Sequence, residues 1–202
     1  MILIGVTGTV GSGKTTVSAM LRKEGEEVID LDKIAKEIVR QERIISDIRN
    51  AFGGSYVIDG EIDTERVGRL VFHNKEAREK LESILHPLID AEMHSRVKRL
   101  EAQGRKTVII DGPLIFEKGL DKELDKTVVV SGKTATIKAR LKKRGMDEED
   151  AGRRMAAQMP LEEKEVRADY VVRNDGTMED LENEVGNLLK QIKEWEVELN
   201  AP

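Results

Sequence analysis

The sequence of 202 residues contains no cysteine. Disulfide bonds, cysteine-ligated zinc, iron–sulfur clusters and a thiol nucleophile are therefore excluded. Aromatic residues make up only 3% of the chain, which leaves few side chains on which nucleic-acid bases could stack. No apolar run approaches the length of a membrane span, and Met1–Ile4 lacks the basic segment that opens a signal peptide. We therefore expect a cytoplasmic protein with no membrane partner.

Net charge and length further limit the classes of protein to which this chain could belong. The chain has 34 Lys and Arg against 39 Asp and Glu, a net charge of -5, whereas a general nucleic-acid binder is usually basic. Its length suits one domain with a small inserted lobe and is too short for two ordinary domains. The three histidines have no partner at metal-ligand spacing, so no histidine-based metal site is expected.

Short apolar runs alternate with helical periodicity along the chain. We predict strands at Ile2–Thr7, Val28–Asp30, Thr107–Asp111, Lys126–Ser131 and Tyr170–Val172. A helical stretch over about 33–104 separates the second strand from the third and predicts the inserted lobe. Within it, Pro87 is expected to open a new helix, since proline is tolerated in a first turn. Strands alternating with helices predict an α/β fold with a parallel sheet.

The strongest motif is Gly8–Thr15, which fits G-x-x-x-x-G-K-[ST] in full between a predicted strand and a predicted helix. Gly11 and Gly13 allow backbone conformations in which N–H groups face phosphates, and the helix N-terminus adds its positive dipole end. Lys14 would bring a charge to the β- and γ-phosphates, and the Thr15 hydroxyl can bind Mg²⁺. A glycine-rich turn that binds nothing is the alternative, and both motif and context disfavour it.

Three aspartates lie where predicted strands end. Asp30 and Asp32 follow the second strand, where a carboxylate could orient an acceptor hydroxyl or accept its proton in phosphoryl transfer. The spacing equally fits helix capping, since aspartate is a favoured N-cap residue. Asp111 ends the third strand, so it is either a carboxylate that holds Mg²⁺ through water or a turn-forming residue before Gly112.

A basic run occupies 132–146, with six cations and no acid. Arg140 and Arg144 have the i, i+4 spacing that places two side chains on one helix face. In a phosphotransferase such a run is typical of a lid that closes over the nucleotide, whereas in isolation it is more often a solvated face. Arg153, Arg154 and Gln158 could join this lid or face solvent.

Taken together, these segments resemble the dephospho-CoA kinase family over nearly the whole chain. The matching segments are Ile4–Gly8, Gly11–Thr16, Val28–Ala35, Leu85–Ile89, Pro113–Glu117, Gln158–Lys164, Ala168–Val171 and Asn174–Gly176. The G-x-x-x-x-G-K-[ST] motif, called the P-loop, is shared by many families. The D-x-D, H-P-L-I and P-L-I-F-E segments are more specific to this one. One departure is Thr9, which stands where the family usually has glycine.

The resemblance implies the three-layer P-loop NTP hydrolase fold of the nucleoside-monophosphate-kinase type. The five strands would form one parallel sheet in the order 2-3-1-4-5, counted along the chain. The chain would be a single P-loop kinase domain over 1–202, with a helical acceptor-binding lobe at about 33–104 and a lid at about 133–168. The family transfers the γ-phosphoryl of ATP to the 3′-hydroxyl of dephospho-CoA with Mg²⁺, as a monomer or small homo-oligomer.

The resemblance also implies roles for individual residues. Asp32, Lys14 and Arg140 would be catalytic, and Thr15 would hold Mg²⁺, with Asp111 as a second candidate ligand. The residues expected to bind ATP are Gly8, Gly11, Ser12, Gly13, Lys14, Thr15, Thr16, Arg140, Arg144, Asn174 and Gly176. Those expected to contact dephospho-CoA are Asp32, His86 and Leu114.

Two other functions are compatible with a P-loop. A related small-molecule kinase would share the fold and differ only in its acceptor site. A nucleotide-dependent switch would bind partners without transfer chemistry. A GTPase of that kind should carry an Asn-Lys-x-Asp motif, but Asn74-Lys75-Glu76-Ala77 lacks the aspartate.

Overall fold

A computed structural model describes residues 1–199 of the chain. The chain forms two compact units. One unit combines Met1–Ile29 with the chain from Leu100 onwards, and the other is the continuous segment Asp30–Arg99. The first unit contains the P-loop and the sheet, and the second is mainly helical.

The first unit is built on a five-stranded sheet. Its strands are β1 (Ile2–Thr7), β2 (Glu27–Asp30), β5 (Thr107–Asp111), β6 (Lys126–Ser131) and β7 (Tyr170–Arg173), with β3 and β4 lying in the other unit. The strands lie in the order β2-β5-β1-β6-β7, and β1 pairs in parallel with β5 and β6, as β6 does with β7. Counted along the chain this is 2-3-1-4-5, so the predicted fold class and strand order are confirmed.

The central strands are buried because helices cover them. All five residues of β5 are buried, and so are five of the six in β6. Helices α1 (Lys14–Lys23) and α9 (Met178–Leu199) contact each other and β1, and α9 also contacts β7. Continuous apolar strands of this kind are typical of parallel sheets that are covered on both faces.

The second unit is a helical lobe with one short hairpin. Its helices are α2 (Leu31–Ile38), α3 (Glu42–Phe52), α4 (Thr64–His73) and α5 (Lys75–Ala102), and its hairpin strands are β3 (Val57–Ile58) and β4 (Glu61–Ile62). A single 3-10 turn, Gly54–Tyr56, precedes the hairpin. Its buried apolar side chains are Ile34, Ile38, Ile44, Ile48, Val67, Met93 and Val97.

Pro87 does not open a helix, so the sequence-based prediction at this residue is wrong. It lies inside α5, which runs unbroken over 28 residues. Proline lacks the N–H that would bond the carbonyl of Ser83, and its ring is usually tolerated only in a first turn. The helix continues because apolar residues on both sides of Pro87 keep a helical period, from Leu81 to Ile89 and on to the buried Met93 and Val97.

Three short helices make up the predicted lid segment, residues 133–168. They are α6 (Thr134–Lys143), α7 (Glu148–Ala156) and α8 (Leu161–Arg167). Ile137, Leu141 and Ala151 form a small buried cluster, and Val10 of the P-loop packs against it. The segment therefore has an apolar core of its own that reaches the P-loop.

A second 3-10 turn, Leu120–Glu123, lies between β5 and β6. Among the described helices, none combines the length and apolar character that a membrane crossing requires.

Candidate active site

The predicted P-loop lies between the carboxyl end of β1 and the first turn of α1. No side chain caps α1, in contrast to α2, α4 and α7, which are each capped by an aspartate. An uncapped helix start leaves backbone N–H groups available to an anion, and the helix dipole favours negative charge there. The backbone N–H groups at the start of α1 are therefore available to bind a phosphate group.

Two glycines of this loop meet requirements that no other residue satisfies. Gly13 has a φ of 100°, in the left-handed region, and a Cβ there would overlap the amide nitrogen of Asn174. A Cβ at Gly8 would lie 2.6 Å from the carbonyl oxygen of Val130. The motif's glycines thus allow β6 and the turn after β7 to approach the loop closely.

The ammonium of Lys14 is paired with the carboxylate of Asp111. Both side chains are largely shielded, with 13% of Lys14 and 3% of Asp111 exposed. Asp111 is opposite Val6 in the parallel register of β1 and β5, so the sheet itself brings the end of β5 to the P-loop. Of the two interpretations of Asp111, the structure favours a carboxylate of the site over a simple turn residue.

Asn174 and Arg140 form a network behind the P-loop. The Asn174 side-chain amide donates to the Ser12 carbonyl at 2.7 Å, and its oxygen accepts a bond of 2.9 Å from the Arg140 guanidinium. Arg140 also donates to the Ser12 carbonyl at 3.5 Å. One arginine of the predicted lid segment therefore lies beside the P-loop backbone.

The other polar residues of the lid segment occupy different positions. Arg144 follows the last residue of α6, and its side chain is exposed. Arg153 and Arg154 form i, i+4 ion pairs with acids of α7 on its exposed surface. Gln158 reaches the P-loop, where its side-chain oxygen accepts a bond of 2.9 Å from the Val10 N–H. Arg140 and Gln158 therefore both hydrogen-bond to the P-loop backbone.

In the helical unit, the two aspartates of the D-x-D segment have different surroundings. Asp30 is the N-cap of α2 and accepts a 2.9 Å bond from the Lys33 N–H, so its structural interpretation is favoured. Asp32 lies in the first turn of α2, and its side chain is exposed. His86 is half-buried in the middle of α5.

The remaining predicted residues lie in the unit that contains the sheet. Thr15 and Thr16 are in the first turn of α1, and Thr15 is exposed. Leu114 is half-buried in the turn that follows β5. Gly176 is in the exposed turn between β7 and α9, where a Cβ would overlap the Asp180 carboxylate.

The structure adds a buried ion pair to which the sequence argument assigned no role. Lys164 of α8 is fully buried and pairs with Glu117 at 2.9 Å. Burial lowers the pKa of the Lys164 ammonium, Glu117 opposes that shift, and the nearby charge of Lys14 adds to it. Lys164 lies one turn after the half-buried Leu161, but lysine is almost always exposed, so the local sequence does not predict this burial.

A five-stranded parallel sheet with a P-loop after its central strand, a basic helical segment after β6 and a separate helical unit define the class of P-loop small-molecule kinases. The dephospho-CoA kinase family model matches residues 2–180. The chain belongs to the dephospho-CoA kinase family, and the family identified from the sequence is confirmed.

Individual relatives agree with this assignment. The chain is 41% identical over 198 residues to a dephospho-CoA kinase from Geobacillus kaustophilus, covering 96% of this chain and 97% of the relative. A protein of known crystal structure from Thermus thermophilus superposes with a TM-score of 0.83 at 37% identity, covering 94% and 97% of the two chains. The dephospho-CoA kinase of Campylobacter jejuni superposes with a TM-score of 0.71 at 26% identity, covering 94% and 96%.

Proposed function

We propose that this protein transfers the γ-phosphoryl group of ATP to the 3′-hydroxyl of the dephospho-CoA ribose, giving coenzyme A and ADP. This is the reaction of the family to which the chain belongs. The observation that carries the proposal is the P-loop lysine, Lys14, held against Asp111 at the carboxyl ends of β1 and β5. In parallel sheets, ligands bind at these strand ends.

On the nucleotide side, the phosphates of ATP would lie on Gly8–Thr16, where backbone N–H groups and the α1 dipole favour anions. Lys14 would exchange its carboxylate partner for the β- and γ-phosphates, and Arg140 would offset charge on the transferred group. Arg144 would join it when the lid closes. Gly176, in the turn after β7, would lie near the adenine, and Asn174, whose amide bonds the Ser12 carbonyl, would lie beside the phosphates.

The residues present fit Mg²⁺, which prefers oxygen ligands and is usually bound by few protein groups together with substrate phosphates. The Thr15 hydroxyl and the Asp111 carboxylate are the oxygen ligands we assign to it. Within residues 1–199 no cluster of three or more histidine or acidic side chains could hold a metal alone, so phosphate oxygens would complete the set. When bound, Mg²⁺ would neutralise charge on the β- and γ-phosphates.

On the acceptor side, Asp32 would orient the ribose 3′-hydroxyl and accept its proton as the oxygen attacks the γ-phosphorus. The bond from that phosphorus to the β–γ bridging oxygen breaks, and ADP leaves with the electron pair. His86 in α5 and Leu114 after β5 would contact dephospho-CoA. The lid segment, 133–168, would close and exclude water, which otherwise competes with the ribose hydroxyl.

These assignments require only small molecules as partners. We expect the protein to act in the cytoplasm, as a monomer or small homo-oligomer, without binding nucleic acid or membranes.

An acceptor panel tests the function directly. ADP release should require dephospho-CoA and should not occur with AMP, CMP or shikimate, and mass spectrometry should show phosphate added to dephospho-CoA. Turnover with another acceptor would make the protein a different small-molecule kinase. Tight ATP binding with no phosphorylated product would make it a switch.

Asp32→Ala tests the acceptor-side assignment. It should lower kcat by about 10²–10⁴-fold and leave ATP affinity nearly intact, because a positioned general base typically contributes that much. Glu65→Ala is the matched control, since Glu65 is also an exposed acid in the first turn of a helix, α4. Unchanged turnover in Asp32→Ala would remove Asp32 from the mechanism.

A further inference from the structure

Lys164 and Glu117 form the buried ion pair described above, between α8 and the turn that follows β5. Lysine is almost never fully buried unless it is paired, and here none of its side chain is exposed. The Lys164 ammonium donates to Glu117 Oε1 at 2.9 Å and to the Pro113 carbonyl at 2.8 Å. The second carboxylate oxygen, Glu117 Oε2, is buried without a hydrogen-bond partner.

Stability alone does not account for such a pair. Removing two charges from water is costly, and well-packed apolar residues of similar volume often stabilise a fold as well or better. The orphaned Oε2 of Glu117 adds to that cost, because an unsatisfied buried acceptor is unfavourable. What the pair supplies instead is a directional connection between two segments that are distant in sequence.

The connection runs from the lid segment to the strands that carry the site. Glu117 Oε1 accepts a second bond, of 2.9 Å, from the Met159 N–H just before α8. The Pro113 carbonyl that receives Lys164 also accepts a bond of 3.2 Å from the hydroxyl of Thr7, the last residue of β1. The pair therefore joins the start of α8 to the turn after β5 and to the strand that leads into the P-loop.

The neighbourhood of the pair is the catalytic end of the sheet. Pro113 is two residues beyond Asp111, the partner of Lys14. The residue before Met159 is Gln158, whose side chain accepts from the P-loop N–H of Val10. Residues 158–164 are thus attached at one end to the P-loop and at the other to the turn after β5.

We propose that Lys164 and Glu117 are a positioning pair that fixes the C-terminal end of the lid segment against the P-loop side of the site, so that transfer to the acceptor is favoured over transfer to water. The pair acts through α8 and touches no reacting atom. The inference rests on the proposed kinase function, because it assigns the lid segment the task of excluding water.

The test measures ADP released and coenzyme A formed in the same reaction. In Lys164→Met the anchor is lost, so we expect coenzyme A formation to fall about 10- to 100-fold, the effect of a small misplacement of the site. ADP release should fall less, so the ratio of ADP to coenzyme A should rise above the wild-type value of about one. Affinity for a fluorescent ATP analogue should change little, because the P-loop contacts remain.

Glu117→Gln and the double variant separate positioning from stability. Glutamine keeps the side-chain volume and an acceptor for Met159, so Glu117→Gln should fold and show a smaller rise in the ratio. The double variant Glu117→Gln, Lys164→Met contains no unpaired buried charge, so its melting temperature should exceed that of Lys164→Met. Its product ratio should nevertheless stay high.

Further controls distinguish a positioning role of the pair from other effects of the substitutions. Arg167→Gln breaks an exposed i, i+4 ion pair on the same helix and should leave the ratio unchanged. A double variant that regains both melting temperature and the wild-type ratio, or a Lys164→Met variant with an unchanged ratio, would overturn the positioning role. A wild-type protein that makes no coenzyme A would instead refute the proposed function.

Discussion

Asn174 shows how much of the site depends on one neutral side chain. Its amide bonds the Ser12 carbonyl and Arg140, and it occupies the space that a Cβ on Gly13 would need. The resemblance implies that Asn174 binds ATP, and the structure places its side chain against the backbone of the P-loop. At the residue scale, we therefore expect Asn174 to help shape the phosphate site.

We predict that Asn174→Ala weakens phosphate binding rather than base recognition. The Ser12 carbonyl loses its 2.7 Å bond, and Arg140 loses the oxygen that orients it. Removing one buried hydrogen-bonding partner costs about 1–3 kcal/mol, which is roughly a 5- to 150-fold loss of affinity if it falls entirely on the bound state. Calorimetry should show similar losses for ATP and for inorganic tripolyphosphate. A loss confined to ATP would indicate a contact with adenine instead.

Candidate site residues could be identified from the sequence where they belong to a short consecutive motif. The glycines and lysine of the P-loop follow from eight consecutive positions, and Asp32 was selected by the family resemblance. The contacts of Asn174 and Gln158 were not predictable, because they join residues 162 and 148 positions apart. No local pattern specifies a partner at that distance, and only the packing of β7 and α8 beside the P-loop creates it.

At the scale of one element, the N-terminus of α9 is stabilised by hydrogen bonds between residues close in sequence. Thr177 precedes the helix, and its hydroxyl accepts a 3.2 Å bond from the Asp180 N–H. The Asp180 carboxylate in turn accepts bonds of 2.8 Å from the Thr177 N–H and hydroxyl. This reciprocal arrangement is a capping box, which satisfies donors that a helix start would otherwise leave without partners.

We predict that Asp180→Ala destabilises the protein near neutral pH and much less in acid. The bonds from the Thr177 N–H and hydroxyl hold the pKa of the Asp180 carboxyl below its ordinary value of 3.8. A depressed pKa contributes stability that is present above the ordinary value and is lost as the pH falls through the folded-state value. Thermal unfolding should therefore show a deficit of about 2 °C at pH 7 that shrinks below pH 4.

Glu179→Ala is the control for charge, because Glu179 is an exposed acid in the same turn. It removes the same charge near the helix dipole and leaves the capping box in place. An equal deficit in both variants, or one in Asp180→Ala that persists in acid, would contradict the capping explanation.

Most elements were predictable because their apolar periodicity is strong, and the exceptions have physical reasons. The five sheet strands lie where the pattern predicts them, to within one residue at each end. The hairpin of β3 and β4 was not predicted, because its strands have only two residues each. Pro87 was misread because the local rule for proline competes with packing of α5, and packing prevails here.

At the scale of the whole molecule, the two compact units differ in what stabilises them. The unit that contains the sheet has a continuous core of strand and helix residues, to which the single tryptophan, Trp195, belongs. The Trp195 ring makes an edge contact with Tyr170, with centroids 6.4 Å apart, and is 5% exposed. The unit Asp30–Arg99 is mainly helical and has fewer fully buried apolar side chains.

We predict that the helical unit unfolds first in urea. Regions with few buried apolar contacts open at lower free energy than the core of a sheet. Trp195 reports only on the unit that contains it, whereas far-ultraviolet circular dichroism reports helices of both. The loss of helical signal should therefore begin at lower urea than the change in tryptophan fluorescence. Coincident curves would show that the chain unfolds as one cooperative body.

At the scale of the whole molecule, the acidic net charge conceals a local cluster of positive charge. The net charge of -5 is a sum over the whole chain, and the run at 132–146 carries six cations and no acid. Arg140, the member of that run beside the P-loop, faces the backbone where a polyanionic nucleotide would bind. We therefore expect ATP affinity to decline with salt, because part of the attraction is Coulombic.

The position of β1 at the centre of the sheet has a consequence for biosynthesis. The strand leaves the ribosome well before its partners on either side, β5 and β6, which follow more than a hundred residues later. The helical unit, by contrast, is one uninterrupted stretch that can begin to fold as soon as it emerges. The loop at the end of β1 can thus reach its final conformation only after β5 and β6 have been made.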